Sequence, residues 1–507
     1  MAEIRVTGER RSGILLHPTS LPGDGAGDLG AHAYRFVDWL AVAGQTLWQV
    51  LPLVAVGEGG SPYNGLSAFA GNTLLLSADL LVEDALLDED EARPPAGFDP
   101  CRADFAGAAA WKDGLLRRAH AAFATAASPG LRAGFAEYRE REAAWLGDWC
   151  LFHALRDESG GRAWTQWPEP LRRRDAYALE AARDRLSAEI ERHALGQFLF
   201  DRQWGELRRY ANGRGIYLVG DVPIFVAHDS ADVWAHPEIF ALDEAGNPTV
   251  VSGVPPDYFS ETGQRWGNPL YRWDVLEEDG YRWWIDRFRR TLEMVDVARI
   301  DHFRGFESYW EVPGDEETAL HGRWLPGPGT KLFEAVEREL GPLPLIAEDL
   351  GIITPAVEAL RDELGFPGMR VLQFAFGGDD PDNPHLPENY TAASVAYTGT
   401  HDNNTALGWW RDEASPESKA ELARMAGTAD GVGWGMIEVV LESNADLAII
   451  PLQDVLGLGS EARMNTPGSV DHNWLWRFRE GDLTARHAAR LRDLTAKTGR
   501  LHGQERR

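Results

Sequence analysis

Eight short, apolar, turn-bounded segments constrain this chain more than any other feature: residues 13–20, 45–53, 215–226, 295–302, 343–351, 368–376, 394–402 and 447–455. Each has the form of a strand buried on both faces, as strands of a parallel sheet are. Between most of them lie amphipathic helical stretches, such as residues 31–42 and 331–340. Eight strands with helices between most of them predict an α/β fold, a parallel (β/α)8 TIM barrel closed by an outer ring of helices. Such a barrel needs roughly 250 residues, so a chain of 507 residues must carry large insertions.

The uneven spacing locates them. Residues 56–212, after the second strand, carry the Arg/Glu/Ala-rich helical patterns of residues 105–127 and 171–207 and predict a mostly helical subdomain. Residues 227–290 form a further insertion after the third strand. Long additions on one side of a barrel build the walls of a substrate groove. The expected organisation is one catalytic barrel over residues 13–478, with 227–290 as groove wall and active-site loop, and a C-terminal helix and tail over 479–507. The segment after the eighth strand reads as loop plus an Arg-rich helix at 483–495, which leaves no room for a C-terminal β-sandwich domain.

Three of the eight segments end in a carboxylate. An apolar run ends at Ala298-Arg299-Ile300-Asp301-His302-Phe303-Arg304-Gly305, where an acid is crowded by two arginines and a histidine. Residues 343–347 deliver Glu348-Asp349-Leu350-Gly351, and residues 394–400 deliver His401-Asp402-Asn403-Asn404-Thr405. Barrel strands gather their C-terminal ends on one face, where active sites sit, so the three acids should converge. Two carboxylates across a bond, one a nucleophile and one a proton donor, are what retaining glycosyl transfer requires. Asp301 suits the nucleophile, because Arg299 lies two residues earlier on the same strand face and favours the ionised carboxylate. Glu348 suits the donor, since it follows apolar residues with no basic neighbour, a setting that raises a carboxyl pKa toward the working pH. Asp402 is then available for sugar hydroxyls. Asp221, in Gly220-Asp221-Val222-Pro223 at the end of the third strand, adds a fourth acid; supporting Arg299 and touching sugar are both open to it. A single Asp beside an Arg is commonly a surface ion pair, and Glu-Asp-Leu-Gly is a common helix start. Three such events at three strand ends argue instead for a site.

The order Asp221, Arg299-x-Asp301, Glu348, His401-Asp402 resembles the four short regions of the α-amylase clan. Further motifs are residues 13–22 (GILLHPTSLP), Ser61-Pro62-Tyr63, 67–72 (SAFAGN), 253–260 (GVPPDYFS), 262–268 (TGQRWGN), 400–405 (THDNNT) and 463–468 (RMNTPG). With them the chain resembles the 4-α-glucanotransferase family, also called amylomaltases or disproportionating enzymes, from residue 13 to about 478. The resemblance implies Asp301 as nucleophile, Glu348 as general acid/base and Asp402 as transition-state stabiliser. It implies Tyr63, Asp221, Arg299 and His401 around the donor sugar, a loop with Tyr258 over the groove, Gln264 and Trp266 toward the acceptor side, and Ser61, His302 and Asn465 among the substrate contacts. The implied reaction moves a segment of an α-1,4-glucan or maltooligosaccharide onto the 4-hydroxyl of glucose or another glucan through a covalent glycosyl-enzyme. Cyclic glucans are a further product class, no cofactor is implied, and a monomer or weak homodimer is expected. Two departures stand out: His385 and Glu388 occupy positions where the family leads one to expect an aromatic residue and a histidine, and Gly377-Gly378 replaces an acidic pair.

Composition agrees with a neutral or cationic partner. Fifty basic and 79 acidic residues give a net charge of −29, which repels nucleic acid and anionic lipid. Cys101 and Cys150 cannot form a disulfide framework and suit a reducing compartment. No run approaches the roughly 18 apolar residues of a membrane span, and the N-terminal Ile14-Leu15-Leu16 is too short for a signal-peptide core. A soluble, cytoplasmic protein with no nucleic-acid or membrane partner is expected. No metal is expected either, because the fourteen histidines show no ligand-like cluster at helical spacing and no acidic Ca²⁺ loop occurs. Neither a Walker loop nor a Gly-x-Gly-x-x-Gly turn is present. Twenty tryptophans and twelve tyrosines suit pyranose faces; Trp48 and Trp234 are expected in the core, Trp266 against ligand. The carboxylates do not separate transfer from hydrolysis, which share one intermediate. A lid over residues 255–259, stiffened by two prolines, would exclude water and favour transfer. The rival readings are a glucan hydrolase on the same fold, a non-catalytic glucan-binding scaffold, which has no need of a proton donor, and a phosphosugar enzyme, for which no Gly-rich phosphate loop follows strand seven or eight.

Overall fold

All eight apolar segments become strands of one closed parallel barrel. The computed structural model describes residues 6–57, 59–256, 260–378, 380–426, 431–469 and 472–502. Among them are twelve strands: β1 (Arg11–Leu15), β2 (Leu47–Gln49), β3 (Tyr217–Pro223), β4 (Val250–Val254), β5 (Gln264–Pro269), β6 (Val297–Asp301), β7 (Ser308–Pro313), β8 (Arg323–Pro326), β9 (Leu345–Ala347), β10 (Gly368–Val371), β11 (Ser394–Tyr397) and β12 (Leu447–Pro451). The barrel order is β1-β12-β11-β10-β9-β6-β3-β2, with parallel neighbours throughout. Every residue of β9, β10, β11 and β12 is buried, which is why these strands read as apolar runs and not as alternations.

The helices cover that barrel with one face each. Ala31–Val42 buries Ala33, Phe36, Val37 and Leu40, the i, i+3, i+4, i+7 stripe of an amphipathic helix. Its Phe36 ring meets the edge of Trp48, centroids 5.0 Å apart, while the Trp48 indole N–H donates to the Leu16 carbonyl at 2.8 Å. Each fully buried Leu, Val or Phe on such a face contributes about 1.5–3 kcal/mol. Trp48 and Trp234 are both fully buried.

Between β2 and β3 the chain is helical, with Phe105–Ala126, Pro129–Arg141, Leu146–Glu158, Ala176–Arg185 and Ser187–Asn212 as the main helices. Asp104 and Ser128 cap two of them, accepting from the N–H groups of Gly107 and Leu131. The single helical pattern read over 171–207 is divided. Arg174 turns left-handed at φ 57°, and Asp175 caps a new helix through the Ala178 N–H. Local capping thus overrides apolar periodicity.

A second sheet, antiparallel in the order β5-β4-β7-β8, has no counterpart in the sequence reading. It takes β4 and β5 from the segment after β3, and β7 and β8 from residues 302–329 after β6, where no insertion was expected. Edge strand β8 is mostly exposed and edge strand β5 buries only Pro269, so neither shows the apolar alternation that marks a strand. Past β12 the described residues contain no strand. The helix Ala485–Lys497 packs against Ala31–Val42, and buried Arg500 donates to the carbonyls of Arg11, Leu441, Ser443, Ala445 and Asp446. Among the described residues, no helix is long and apolar enough to cross a membrane.

Candidate active site

Barrel register places the acids. β3 pairs with β6 so that Asp221 lies opposite Arg299 and Pro223 opposite Asp301. Arg299 and Asp301 flank the fully buried Ile300, so both project to the other face of the strand. The Arg299 guanidinium donates to both Asp221 oxygens, at 2.8 and 2.7 Å, and to Asp301 Oδ1 at 2.9 Å. The two acids differ in exposure: the Asp221 side chain is fully buried, whereas that of Asp301 is 29% exposed and open to a ligand. Asp221 also accepts from the Tyr63 hydroxyl at 2.8 Å. Of the two roles open to Asp221, holding Arg299 is the one its contacts display.

Glu348 directly follows β9 and is buried. Its Oε2 accepts the His302 N–H at 2.7 Å and its Oε1 the Leu350 N–H at 2.8 Å. The first bond exists because His302 turns left-handed (φ 53°, ψ 49°) immediately after Asp301, a conformation that costs a non-glycine residue about 1 kcal/mol or more. Burial, then the charge of Asp301, push the Glu348 carboxyl up to about 8, outweighing Arg299 and the two backbone donors. Next in the chain, Asp349 accepts the Met369 N–H at 2.6 Å and pairs with Arg361 and Arg370. A Cβ on Gly368 would stand 2.3 Å from Asp349 Oδ2, so only glycine permits this anchor beside the acid.

Asp402 sits in the loop after β11, its side chain 42% exposed. Asn465 Nδ2 donates to its Oδ1 at 2.5 Å, and His401 Nε2 lies 3.3 Å from its Oδ2. Arg463 donates to the carbonyls of Asp402 and Asn465 at 2.7 and 2.8 Å, locking the two loops together. The Tyr63 ring stacks on His401, centroids 5.1 Å apart at 14°, and Trp474 closes the group at 5.8 and 5.9 Å. Burial lowers the His401 pKa, opposed by Asp402.

The remaining candidates are less tightly joined. Ser61 opens the turn that carries Tyr63, its carbonyl accepting from the Asn64 N–H at 3.2 Å. Gln264 accepts from the Trp266 indole at 3.3 Å. Trp266 is 39% exposed, and its ring stands edge-on to His302 at 4.7 Å. Burial and then Arg304 push His302 down to about 3, so its ring is uncharged. Tyr258, with Asp257 and Phe259 of the expected lid, lies outside the described residues. At the family departure, half-buried His385 accepts the Val371 N–H through Nδ1 at 3.2 Å and packs against exposed Phe374.

The sequence reading missed Trp474, Asp349 and Arg463 as parts of the site. Arg463 was visible in the 463–468 motif, and Asp349 adjoins the proposed acid. Trp474 comes from a loop beyond the last strand, and no local signal pointed to it.

A barrel that sets an ion-paired, partly exposed carboxylate beside a buried, proton-retaining one, with a third acid in the loop after another strand, is built as a glycosyl-processing enzyme. Comparison with known proteins narrows that class. The family model for 4-alpha-glucanotransferase, glycoside hydrolase family 77, matches residues 16–484, and the chain belongs to this family. It is 52% identical over 502 residues to a 4-alpha-glucanotransferase of Thermus thermophilus, covering 97% of this chain and 99% of that one. With a 4-alpha-glucanotransferase of Synechocystis it shares 48% identity over 501 residues, covering 97% and 98%. The structure of an amylomaltase from Streptococcus agalactiae in complex with acarbose superposes with a TM-score of 0.94 at 38% identity, covering 97% of this chain and all of that one.

Proposed function

We propose that this 4-alpha-glucanotransferase acts on α-1,4-glucans by retaining double displacement, with Asp301 as nucleophile and Glu348 as acid/base. The observation that carries the reading is the opposite treatment of two neighbouring carboxyls: Arg299 pairs with Asp301, while burial and the Asp301 charge keep Glu348 protonated. In the first step Asp301 Oδ bonds to the anomeric carbon as the glycosidic C–O bond breaks, and the Glu348 proton passes to the departing 4-oxygen. Glycosylation removes the Asp301 charge, the second-largest cause of the raised Glu348 pKa. Glu348 therefore becomes the stronger acid, and its carboxylate is ready to take the proton of an incoming 4-hydroxyl. Attack by that hydroxyl breaks the Asp301–glycosyl bond and restores both groups.

Asp402, held by Asn465 and His401, is positioned to hold sugar hydroxyls, with Tyr63 and His401 as the floor of the donor site. Trp266 and Gln264, on the second sheet, offer an aromatic face and an amide for the acceptor. The segment 227–290 serves as groove wall. The family relationship to an amylomaltase that binds acarbose supports a maltooligosaccharide-type ligand. Free Cys101 and Cys150 fit a cytoplasmic setting.

Incubation with maltotriose alone tests transfer: glucose together with maltooligosaccharides longer than the substrate is expected by chromatography. Release of glucose and maltose without longer products would show hydrolysis instead. The raised Glu348 sets the pH response. The working form is protonated, so kcat/KM is expected to hold below about pH 8 and to fall on the alkaline side as the proton is lost. A pH–rate profile whose alkaline limb survives unchanged in Glu348→Gln would assign that limb to another group.

A further inference from the structure

Away from the barrel, the helical segment between β2 and β3 brings together two imidazoles and a carboxylate. His153 and Asp157 lie one turn apart on Leu146–Glu158, facing the same way, and His193 reaches them from Ser187–Asn212. One donor atom from each lies within 4.8 Å of the other two. His193 Nε2 stands 2.9 Å from Asp157 Oδ2, His153 Nδ1 stands 3.5 Å from Asp157 Oδ1, and the ring centroids are 4.2 Å apart. The His153 Nδ1 atom is buried and has no hydrogen-bond partner. Histidine spacing along the chain hides this group, because the third member comes from another helix, 36 positions beyond Asp157. The expectation concerned histidines at helical spacing, which this group, with one histidine on each of two helices, does not have.

The surrounding charges nearly balance, with one guanidinium in direct contact with the group. Arg192 donates to Asp157 Oδ2 at 2.9 Å and is itself held by Asp113 at 2.6 Å and Glu189 at 2.7 Å. Arg117 bridges Asp113 and Glu189. Three carboxylates thus face two guanidinium groups, which leaves one net negative charge beside two imidazoles. Arg192 also approaches His193 Nε2 at 3.3 Å; an ion replacing that contact leaves Arg192 its bonds to Asp113 and Glu189. Two imidazole nitrogens with one carboxylate oxygen suit zinc and its transition-metal neighbours, whereas Mg²⁺ and Ca²⁺ take oxygen ligands.

We infer that His153, Asp157 and His193 form a three-ligand site for a zinc-class divalent cation that clamps Leu146–Glu158 to Ser187–Asn212. Three protein ligands leave a tetrahedral ion one position for water. None of the three residues lies on an element that carries the acids of the barrel, so the ion acts on the stability of this segment. By mass action, a ligand bound only by the folded chain raises its stability with free ligand concentration.

The test uses the full-length protein stripped with a chelator. Titration with Co²⁺, followed by its visible ligand-field spectrum, and with Zn²⁺, followed by calorimetry, is expected to show one saturable site per chain, with Zn²⁺ displacing Co²⁺. The melting temperature is expected to rise with Zn²⁺ and not with equal Mg²⁺. His153→Gln, at a partly exposed position, should bind at least about tenfold more weakly and lose the Zn²⁺-dependent rise while keeping maltotriose activity; Asp157→Asn should behave alike if His193→Gln does not fold. Absence of saturable one-to-one binding, equal binding by His153→Gln, or an equal response to Mg²⁺ would overturn the assignment and leave a hydrogen-bonded polar cluster only.

Discussion

Asp301→Asn is expected to lower glucan transfer by a factor on the order of 10⁶, the scale on which deletion of a catalytic nucleophile acts. The amide matches the carboxylate in shape but cannot form the glycosyl ester, so neither a maltooligosaccharide nor an activated donor such as α-glucosyl fluoride should leave a covalent adduct detectable by intact mass. The fold should be nearly undisturbed, because Arg299 keeps both bonds to Asp221. Thermal unfolding close to that of the unaltered protein would separate lost chemistry from lost structure. Labelling of the Asp301→Asn protein by either donor would refute the assignment of the nucleophile.

Glu348→Gln should act differently. Turnover of maltooligosaccharides is expected to fall roughly 10²–10⁴-fold, the usual contribution of general acid–base catalysis, because their leaving oxygen needs a proton. Fluoride departs with little protonation, so α-glucosyl fluoride should still glycosylate Asp301. Deglycosylation then lacks its base, and a covalent glucosyl-enzyme should accumulate to visible amounts by mass spectrometry. This variant also carries a structural cost. Both Glu348 oxygens accept backbone N–H groups, from His302 and Leu350, and an amide must turn its NH2 against one of them, destabilising the protein by about 1–3 kcal/mol. Urea unfolding measures that cost. Full activity of Glu348→Gln on maltotriose would remove the residue from the proton-transfer role.

Legibility in the sequence depends on how far each signal travels along the chain. A parallel strand buried on both faces leaves its mark within one short run, so all eight barrel strands were legible. A polar residue just after such a run stands at a strand end, so Asp301, Glu348 and Asp402 were legible too. The second sheet was not, because β5 and β8 together bury only Pro269 and owe their form to pairing with β4 and β7. Nor was the break at Arg174, which one left-handed residue and one capping side chain decide.

By itself, then, the sequence determined the barrel, its eight strands, the family and the place of three acids at strand ends, since each is written in a contiguous segment or in the order of such segments. Only the tertiary structure decided how those acids differ. The raised pKa of Glu348 depends on burial and on a charge 47 positions earlier, at Asp301. Asp221 became the partner of Arg299 through strand register, and the His302 turn placed a backbone N–H on the acid. Asp402 owes its setting to Asn465 and Arg463, and His153 meets His193 only where two helices pack. Through-space electrostatics and packing join residues that are remote along the chain, and no local pattern in the sequence encodes their distances.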